Sequence, residues 1–338
     1  MDIERPIFVV GCPRSGTTML QLMLHAHPRI AIPPETRFVL KAYADRQRHG
    51  DLRDPANRRR LAEWITTGRT AFADLGLDPA TTIEKIIAAG PTLGSALGTV
   101  FRAYAERFGK PRWGDKRPAY LNNLDVVRRL FPTAQIVNIV RDGRDCVASI
   151  RETPWYDKDI CQAISDWARA MDSSARARRV LPADSYHELR YEQLVAEPEA
   201  VLTGLCAFLG EQYDPAMAEP ARVAEVAVPS RKSWHRLTHE PVTSQRVGSW
   251  RERLQPWEIA LCESVAGRQL AAQGYQLSVG IPSVWHGPAL KHRLHYPLHD
   301  APRWTLPVRR GVAELRERFA EPEALAYQAA TGPQVPSR

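Results

Sequence analysis

Short apolar runs and helical periodicities alternate along most of the chain. Residues 7–10 and 135–140 are nearly continuous apolar runs, which are typical of strands buried on both faces of a parallel sheet. Residues 30–32 and 186–190 predict two shorter strands. Strands that alternate with helices of these lengths favour a parallel sheet covered on both faces. We therefore predict an α/β fold, a three-layer sandwich with a central parallel sheet flanked by helices.

The helical pattern is most extended between residues 52 and 108. Its clearest helix face carries apolar residues at three- and four-residue spacing, namely Leu97, Val100, Phe101, Tyr104 and Phe108. We interpret residues 113–118 as a loop. Residues 229–250 are polar and rich in turn residues, so they predict a long surface loop, which is usually functional in a compact domain. Residues 1–280 are predicted to form the main domain, and residues 281–338 an appendage that is partly disordered or helical.

The composition is that of a globular protein with a basic surface. The 338 residues include 46 Lys and Arg against 38 Asp and Glu, a net charge of +8, which suits a polyanionic ligand. The five cysteines are scattered without a C-x-x-C pair, so neither a disulfide framework nor a zinc site is expected. A reduced, cytoplasmic location is predicted. The sequence contains neither a signal-peptide pattern nor an apolar run long enough to cross a bilayer.

The strongest chemical signal follows the first predicted strand. Gly11-Cys-Pro-Arg-Ser-Gly16 has the spacing of a P-loop, and the apolar run after Thr18 can continue as a helix. Loop amides and a helix N-terminus together favour an anion. A nucleotide triphosphatase has a lysine after the second glycine, whereas this chain has Thr17 there, and the nearest cation is Arg14. The loop therefore predicts a phosphate site that lacks the lysine of ATP chemistry.

Two further cationic segments come later in the chain. Arg141-Asp-Gly-Arg144, with Ser149 further on, directly follows the second long apolar run, and residues 246–251 form a glycine loop flanked by arginines. Loops that follow parallel strands open at the same sheet edge, where ligands bind. Two cationic loops at that edge indicate a ligand with two separated anionic groups. For Arg141, a salt bridge to Asp142 or Asp145 is the structural alternative.

In this order the three segments resemble the family of sulfotransferases that use 3′-phosphoadenosine 5′-phosphosulfate (PAPS). The resemblance covers residues 6–274 and is closest to the branch of tyrosylprotein sulfotransferases and many bacterial enzymes, matched by His27-Pro28 and Glu35-Thr-Arg37. It implies a P-loop-like fold, with PAPS as cosubstrate and no metal. The nucleotide-binding residues that it implies are Arg14, Ser15, Gly16, Thr17, Thr18, Arg141, Ser149, Tyr191, Arg246, Val247, Gly248, Ser249, Trp250 and Arg251.

The same resemblance implies the catalytic roles. Glu35 matches the glutamate that removes the acceptor's proton, and Lys116 matches a lysine that contacts the bridging oxygen of the leaving phosphate. Arg14 would neutralise charge on the transferring sulfuryl group, and Arg37 would contact the substrate. Without the family pattern, a pairing of Glu35 with Arg37 or a helix-capping role would be the simpler interpretation.

The acceptor cannot be recognised from a motif. Residues 52–108 are predicted to form a helical insertion on the acceptor side, and a small-molecule, carbohydrate, lipid or peptide hydroxyl would suit the chemistry. The serine that assists transfer in the family corresponds to Ser230 or Ser233. Expected partners are this acceptor and, in a homodimer, a second copy of the chain, with no nucleic acid and no transmembrane segment.

Two other functions are alternatives to sulfuryl transfer. A P-loop kinase would need a lysine in the position of Thr17, and this chain has none there. It would also need a metal-binding aspartate at the end of a strand, and the sequence offers no convincing candidate. A basic nucleic-acid-binding protein could use the arginine-rich segments around Arg58 and Arg176, but these lack interleaved aromatic residues.

Overall fold

The fold is built on five strands that all run in the same direction. The computed structural model describes residues 4–224, 242–278, 290–298, 308, 312 and 325–328. The strands are β1 (Ile7–Gly11), β2 (Ile30–Ala31), β3 (Arg112–Lys116), β4 (Gln135–Val140) and β5 (Tyr186–Arg190). They form one parallel sheet in the order β2-β3-β1-β4-β5. The predicted central parallel sheet is confirmed.

Alternate residues of the central strands enter two different cores. Phe8 and Val10 of β1 belong to one hydrophobic cluster, whereas Ile7 and Val9 belong to another on the opposite face of the sheet. Side chains of a strand alternate between the two faces, so a strand that is apolar at every position needs helices on both sides. All four residues are fully buried, as the continuous apolar run predicted.

Helices cover both faces of the sheet. The helices before β4 are α1 (Thr17–Ala26), α2 (Phe38–Ala44), α3 (Pro55–Thr67), α4 (Pro79–Ala88), α5 (Leu93–Arg107) and α6 (Leu124–Leu130). Those after β4 are α7 (Gly143–Arg151), α8 (Ile160–Val180), α9 (Tyr191–Ala196), α10 (Pro198–Leu209), α11 (Trp250–Arg253) and α12 (Pro256–Ala272). The helices predicted between the strands are confirmed. None of these helices combines the length and apolar character needed to cross a membrane.

The prediction of a loop at residues 113–118 was wrong, because most of that stretch is the buried strand β3. Polar residues interrupt its apolar pattern, so no strand signal is visible in the sequence. Gly114 lies so close to β1 that an added Cβ would be 2.0 Å from the carbonyl oxygen of Ile7. Asp115 and Lys116 can be buried because they form hydrogen bonds with polar side chains of other segments. Such partners cannot be recognised from the periodicity of the sequence.

The last described residues, 325–328, pack against the main domain. The Tyr327 ring contacts Trp113 and Phe131, and its hydroxyl donates to Glu4 Oε2 at 2.8 Å. Gly98 of α5 makes room for this ring, since a Cβ there would be 2.6 Å from it. Residues 290–298 are helical. The sequence also predicts a helical patch at residues 312–319, which lies outside the described residues apart from residue 312.

Candidate active site

Most of the functional residues predicted from the sequence lie at one edge of the sheet. Strands β1, β3 and β4 end at Gly11, Lys116 and Val140, and the parallel register places these ends side by side. The carboxyl edge of a parallel sheet is where such folds bind their ligands. Each of the three loops that leave this edge carries a cation, so the edge concentrates positive charge.

The loop between β1 and α1 is tightly wound. Arg14 has φ 70° and Gly16 has φ 101°, both in the left-handed region that non-glycine residues seldom adopt. A Cβ on Gly16 would lie 2.6 Å from the Tyr191 ring, so only glycine lets that ring approach the loop. The Ser15 hydroxyl donates to the Cys12 carbonyl at 2.7 Å and closes the turn. The loop therefore takes its shape from its backbone conformation, and it packs against β4 and α9.

Helix α1 begins immediately after this loop, at Thr17. Among the described residues, no side chain caps its N-terminus, and its first turn contains no carboxylate. The first amides of a helix have no partner within the helix, and the helix dipole makes this end positive. The start of α1 is thus a suitable position for an anionic group.

Arg14 and Arg141 bring two guanidinium groups to the loop. Arg14 Nε donates to the Ser149 hydroxyl at 3.0 Å, which joins two of the predicted segments. Burial, and then the nearby Arg141 charge, lower the pKa of Arg14 from its ordinary value. A bound anion would relieve both effects, because it would neutralise two adjacent cations that have lost water.

Arg141 is held by backbone carbonyls on both sides. Its guanidinium donates to the Arg14 carbonyl at 3.2 Å and to the Arg246 carbonyl at 2.5 Å, and it lies 4.2 Å from the Tyr191 ring centroid. Asp145 is 3.8 Å away, so the predicted salt bridge exists as a long contact. Within the described part of the chain, Arg141 Nε is buried without a hydrogen-bond partner. This N–H group can therefore donate a hydrogen bond to an anionic ligand.

Glu35 and Lys116 form an ion pair beside the loop. Lys116 Nζ lies 3.0 Å from Glu35 Oε2 and 3.4 Å from the Thr18 hydroxyl. The Lys116 side chain is 3% exposed and that of Glu35 is 31% exposed, so the carboxylate is the member of the pair that solvent or a substrate can reach. The structure therefore joins three residues that lie far apart in the sequence.

A buried polar cluster supports the segment that carries Glu35. Asp115 accepts hydrogen bonds from the Thr36 hydroxyl, at 3.0 Å, and from the Tyr120 hydroxyl. Burial raises the pKa of Asp115 to about 6, although both of these hydrogen bonds lower it. Thr36 follows Glu35 directly, and Asp115 directly precedes Lys116. One buried carboxylate thus holds both sides of the Glu35–Lys116 pair, and the sequence offered no signal for it.

The segment 246–251 is fixed to α7 by a buried carboxylate. Asp145, which is fully buried, accepts from the amides of Gly248 and Trp250, each at 2.8 Å, and from the Ser249 hydroxyl at 3.1 Å. The carbonyl of Arg246 in turn accepts from Arg141. The first, second and third cationic segments are therefore one connected structure. The aspartate that the sequence suggested as a partner for Arg141 acts mainly as an anchor for this loop.

Arg144 and Trp250 lie inside the protein. Arg144 makes two hydrogen bonds to Asp142, at 2.8 and 3.0 Å, and a third to Glu263 at 2.5 Å. The Trp250 indole is 3% exposed and lies between the guanidinium groups of Arg144 and Arg251, at 3.9 and 4.3 Å. Arg251 is exposed, whereas Arg144 and Trp250 are buried. Val247, in the same segment as Arg251, is 40% exposed.

The remaining predicted site residues are Arg37, Ser230 and Ser233. Arg37 is exposed at the start of α2, while its neighbour Glu35 pairs with Lys116 instead. Ser230 and Ser233 lie outside the described residues, as does much of the predicted loop at 229–250.

Replacement of the Asp145 carboxylate should lower the stability of the protein measurably. We expect Asp145→Asn to lower the free energy of unfolding by about 2–4 kcal/mol, because the amide cannot accept from all three donors that the carboxylate now satisfies. Urea unfolding followed by circular dichroism measures the change. Asp125→Asn, at an exposed position of α6, is the matched control and should change stability by about 0.5 kcal/mol or less. Equal effects of the two substitutions would contradict the anchoring role.

Comparison with known proteins identifies the class of this fold and site. A family model described as the sulfotransferase family matches residues 6–215. The matched part contains the P-loop-like turn, the Glu35–Lys116 pair and the Arg141 segment. The chain belongs to the sulfotransferase family.

The curated proteins that are similar to this chain include protein-tyrosine sulfotransferases and a nodulation protein. The chain is 26% identical to protein-tyrosine sulfotransferase 1 of Danio rerio over 288 residues, which cover 82% of this chain and 74% of the relative. It is 27% identical to the nodulation protein NoeE of Sinorhizobium fredii over 296 residues, which cover 80% of this chain and 66% of that protein. The similarity extends beyond the residues of the family model into the C-terminal part of the main domain.

A solved structure supports the same architecture. The sulfotransferase domain of the Synechococcus PCC 7002 olefin synthase matches with a TM-score of 0.57 and 24% identity, over 82% of this chain and 98% of that domain. At this identity the comparison concerns the fold alone. The predicted P-loop-like architecture is confirmed.

Proposed function

We propose that the chain transfers the sulfuryl group of PAPS to an acceptor hydroxyl by in-line displacement, with Glu35 as general base. The observation that carries this proposal is the Lys116–Glu35 pair beside the P-loop-like turn, with Lys116 Nζ 3.0 Å from the carboxylate and 3.4 Å from Thr18. A carboxylate, an ammonium group and an anion-binding loop at one sheet edge are the groups that sulfuryl transfer to a hydroxyl needs.

The residues present fit a nucleotide with two anionic ends. The turn at residues 12–16 and the N-terminus of α1 would hold the 5′-phosphosulfate, together with Arg14. Arg141 and Ser149 would hold the 3′-phosphate, and the buried Nε of Arg141 is a donor without a partner among the described residues. Tyr191 and residues 246–251 would enclose the adenosine side of the site.

PAPS supplies an activated sulfuryl group whose leaving group is a phosphate. Glu35 takes the proton of the acceptor hydroxyl while the acceptor oxygen bonds to sulfur. Lys116 donates to the bridging oxygen as the bond from that oxygen to sulfur breaks, and the nucleotide leaves with this oxygen on its 5′-phosphate. Fixed donors and charges are most effective where water is excluded, which suits the nearly buried Lys116 ammonium.

The countercharge for this step comes from the chain itself. Arg14, Lys116 and the dipole of α1 provide positive charge at the position of the transferring group. We therefore expect turnover to need no added divalent cation. Unchanged kcat in the presence of a chelator would agree with this expectation, whereas loss of activity that Mg²⁺ restores would favour a kinase.

Nucleotide binding separates this function from its alternatives. We expect calorimetry to show clearly tighter binding of 3′-phosphoadenosine 5′-phosphate than of ATP, because Arg141 and Arg14 provide two separated anion sites. Tighter binding of ATP would favour the kinase, and preferential binding of an oligonucleotide would favour a nucleic-acid-binding protein. A screen of peptide, lipid, carbohydrate and small-molecule hydroxyls with labelled PAPS would then identify the acceptor.

A further inference from the structure

A cluster of three side chains with different donor atoms lies away from the nucleotide loop. Asp159, at the N-terminus of α8, Cys161, in its first turn, and His292, in the helical residues 290–298, offer donor atoms that all lie within 4.8 Å of one another. Carboxylate, thiolate and imidazole are the three ligand types that zinc uses in proteins. The cluster shares no residue with the candidate active site.

Two of the three distances between the donor atoms are close to those around a tetrahedral zinc ion. Zinc bonds of about 2.3 Å to sulfur and about 2.0–2.1 Å to nitrogen or oxygen separate sulfur from nitrogen by roughly 3.6 Å, and nitrogen from oxygen by roughly 3.4 Å. In this structure Cys161 Sγ is 3.8 Å from His292 Nδ1, and that nitrogen is 3.3 Å from Asp159 Oδ2. Little movement would be needed to bring all three donors onto one ion.

Neighbouring groups already hold the three side chains in place. The other carboxylate oxygen of Asp159 accepts from the Cys161 amide at 2.6 Å and so caps α8. The His292 ring is stacked on Trp257 of α12, with centroids 5.2 Å apart and planes 16° apart. In the metal-free protein the Cys161 thiol donates a hydrogen bond to the His292 carbonyl, at 3.4 Å. Fixed ligands lower the entropic cost of binding an ion.

We propose that Asp159, Cys161 and His292 bind a divalent zinc ion that joins residues 290–298 to the start of α8. The thiol releases one proton to solvent when the metal binds, and a water molecule completes the fourth position. The expectation that sulfuryl transfer needs no metal is unaffected, because this ion would act on the attachment of the C-terminal segment. The spacing Asp159-x-Cys161 with His292 far along the chain matches no zinc motif, so sequence analysis missed it.

Cobalt substitution tests the proposal on the full-length protein. After removal of metals by a chelator and dialysis, Co²⁺ alone is added and the absorption spectrum is recorded. We expect one equivalent to bind with a thiolate-to-metal charge-transfer band and the visible bands of tetrahedral Co²⁺, and one equivalent of Zn²⁺ to remove both. Absence of the thiolate band in the wild-type protein would overturn the proposal.

Variants assign the ligands. Cys161→Ser should remove the thiolate band, and His292→Ala should weaken Zn²⁺ binding by roughly 100-fold or more, since each removes one of three protein ligands. His295→Ala, in the same helical segment, is the matched control and should bind as the wild type does. Because His292 is only partly buried, His292→Ala keeps the test interpretable if Cys161→Ser does not fold. Binding of Zn²⁺ to His292→Ala with the wild-type affinity would contradict the site.

Discussion

Glu35→Gln is expected to lower kcat by about 10²–10⁴-fold while leaving the affinity for 3′-phosphoadenosine 5′-phosphate unchanged. The amide can still accept a hydrogen bond from Lys116, so the buried ammonium keeps a partner and the site keeps its shape. It cannot take the acceptor's proton. The substitution therefore removes proton transfer without removing the nucleotide site.

Steady-state kinetics with labelled PAPS and calorimetry with the product nucleotide measure these two effects separately. Glu84→Gln is the matched control, because Glu84 also pairs with a cation, Arg59 at 3.0 Å, but on an exposed surface. The acidic limb of the pH profile of kcat should disappear in Glu35→Gln, since that limb would report protonation of the base. A kcat that falls by less than about tenfold would remove Glu35 from the role of base.

The sheet could be predicted where burial alone determines the pattern. Strand β1 is apolar at four successive positions because helices cover both faces, and β4 follows the same rule. Strand β3 could not be predicted, because Asp115 and Lys116 are buried by polar contacts rather than by apolar packing. A strand next to a functional site can contain the polar residues of that site, and its sequence then shows no hydrophobic pattern.

Motif order predicted which residues would meet but not what each of them contacts. The sequence placed Glu35 and Lys116 in one site through their match to the family, and the structure pairs them. It suggested an Asp142 or Asp145 salt bridge for Arg141, whereas Asp142 pairs with Arg144, and Asp145 accepts chiefly from loop amides. Such hydrogen bonds to backbone groups depend on how the chain turns, and a pattern of side chains does not encode them.

The connection between the loops has a consequence for nucleotide affinity. Arg141 donates to carbonyls of both the first and the third cationic segments, and Asp145 holds the third segment against α7. If the same guanidinium also contacts the ligand, the conformation of the two loops and the affinity for the nucleotide depend on each other. Its loss would then have two effects, one general and one limited to ligands that carry the 3′-phosphate.

Arg141→Ala is expected to weaken binding of 3′-phosphoadenosine 5′-phosphate by about 30- to 1,000-fold, because a charge-assisted contact to a phosphate is lost in a nearly buried site. Binding of adenosine 5′-phosphosulfate, which lacks the 3′-phosphate, should fall much less, since only the support of the loops changes. Arg141→Lys should recover part of the difference, because it restores the charge without the planar fork.

Calorimetric titration of both nucleotides into each variant gives the ratio of their affinities, and this ratio is the decisive quantity. A loss of stability alone would lower both affinities together, so circular dichroism melting curves accompany each titration. Arg128→Ala, at an exposed position of α6, should leave the ratio at its wild-type value. If Arg141→Ala weakens both nucleotides by the same factor, Arg141 only supports the loops, and the 3′-phosphate must be bound by other residues.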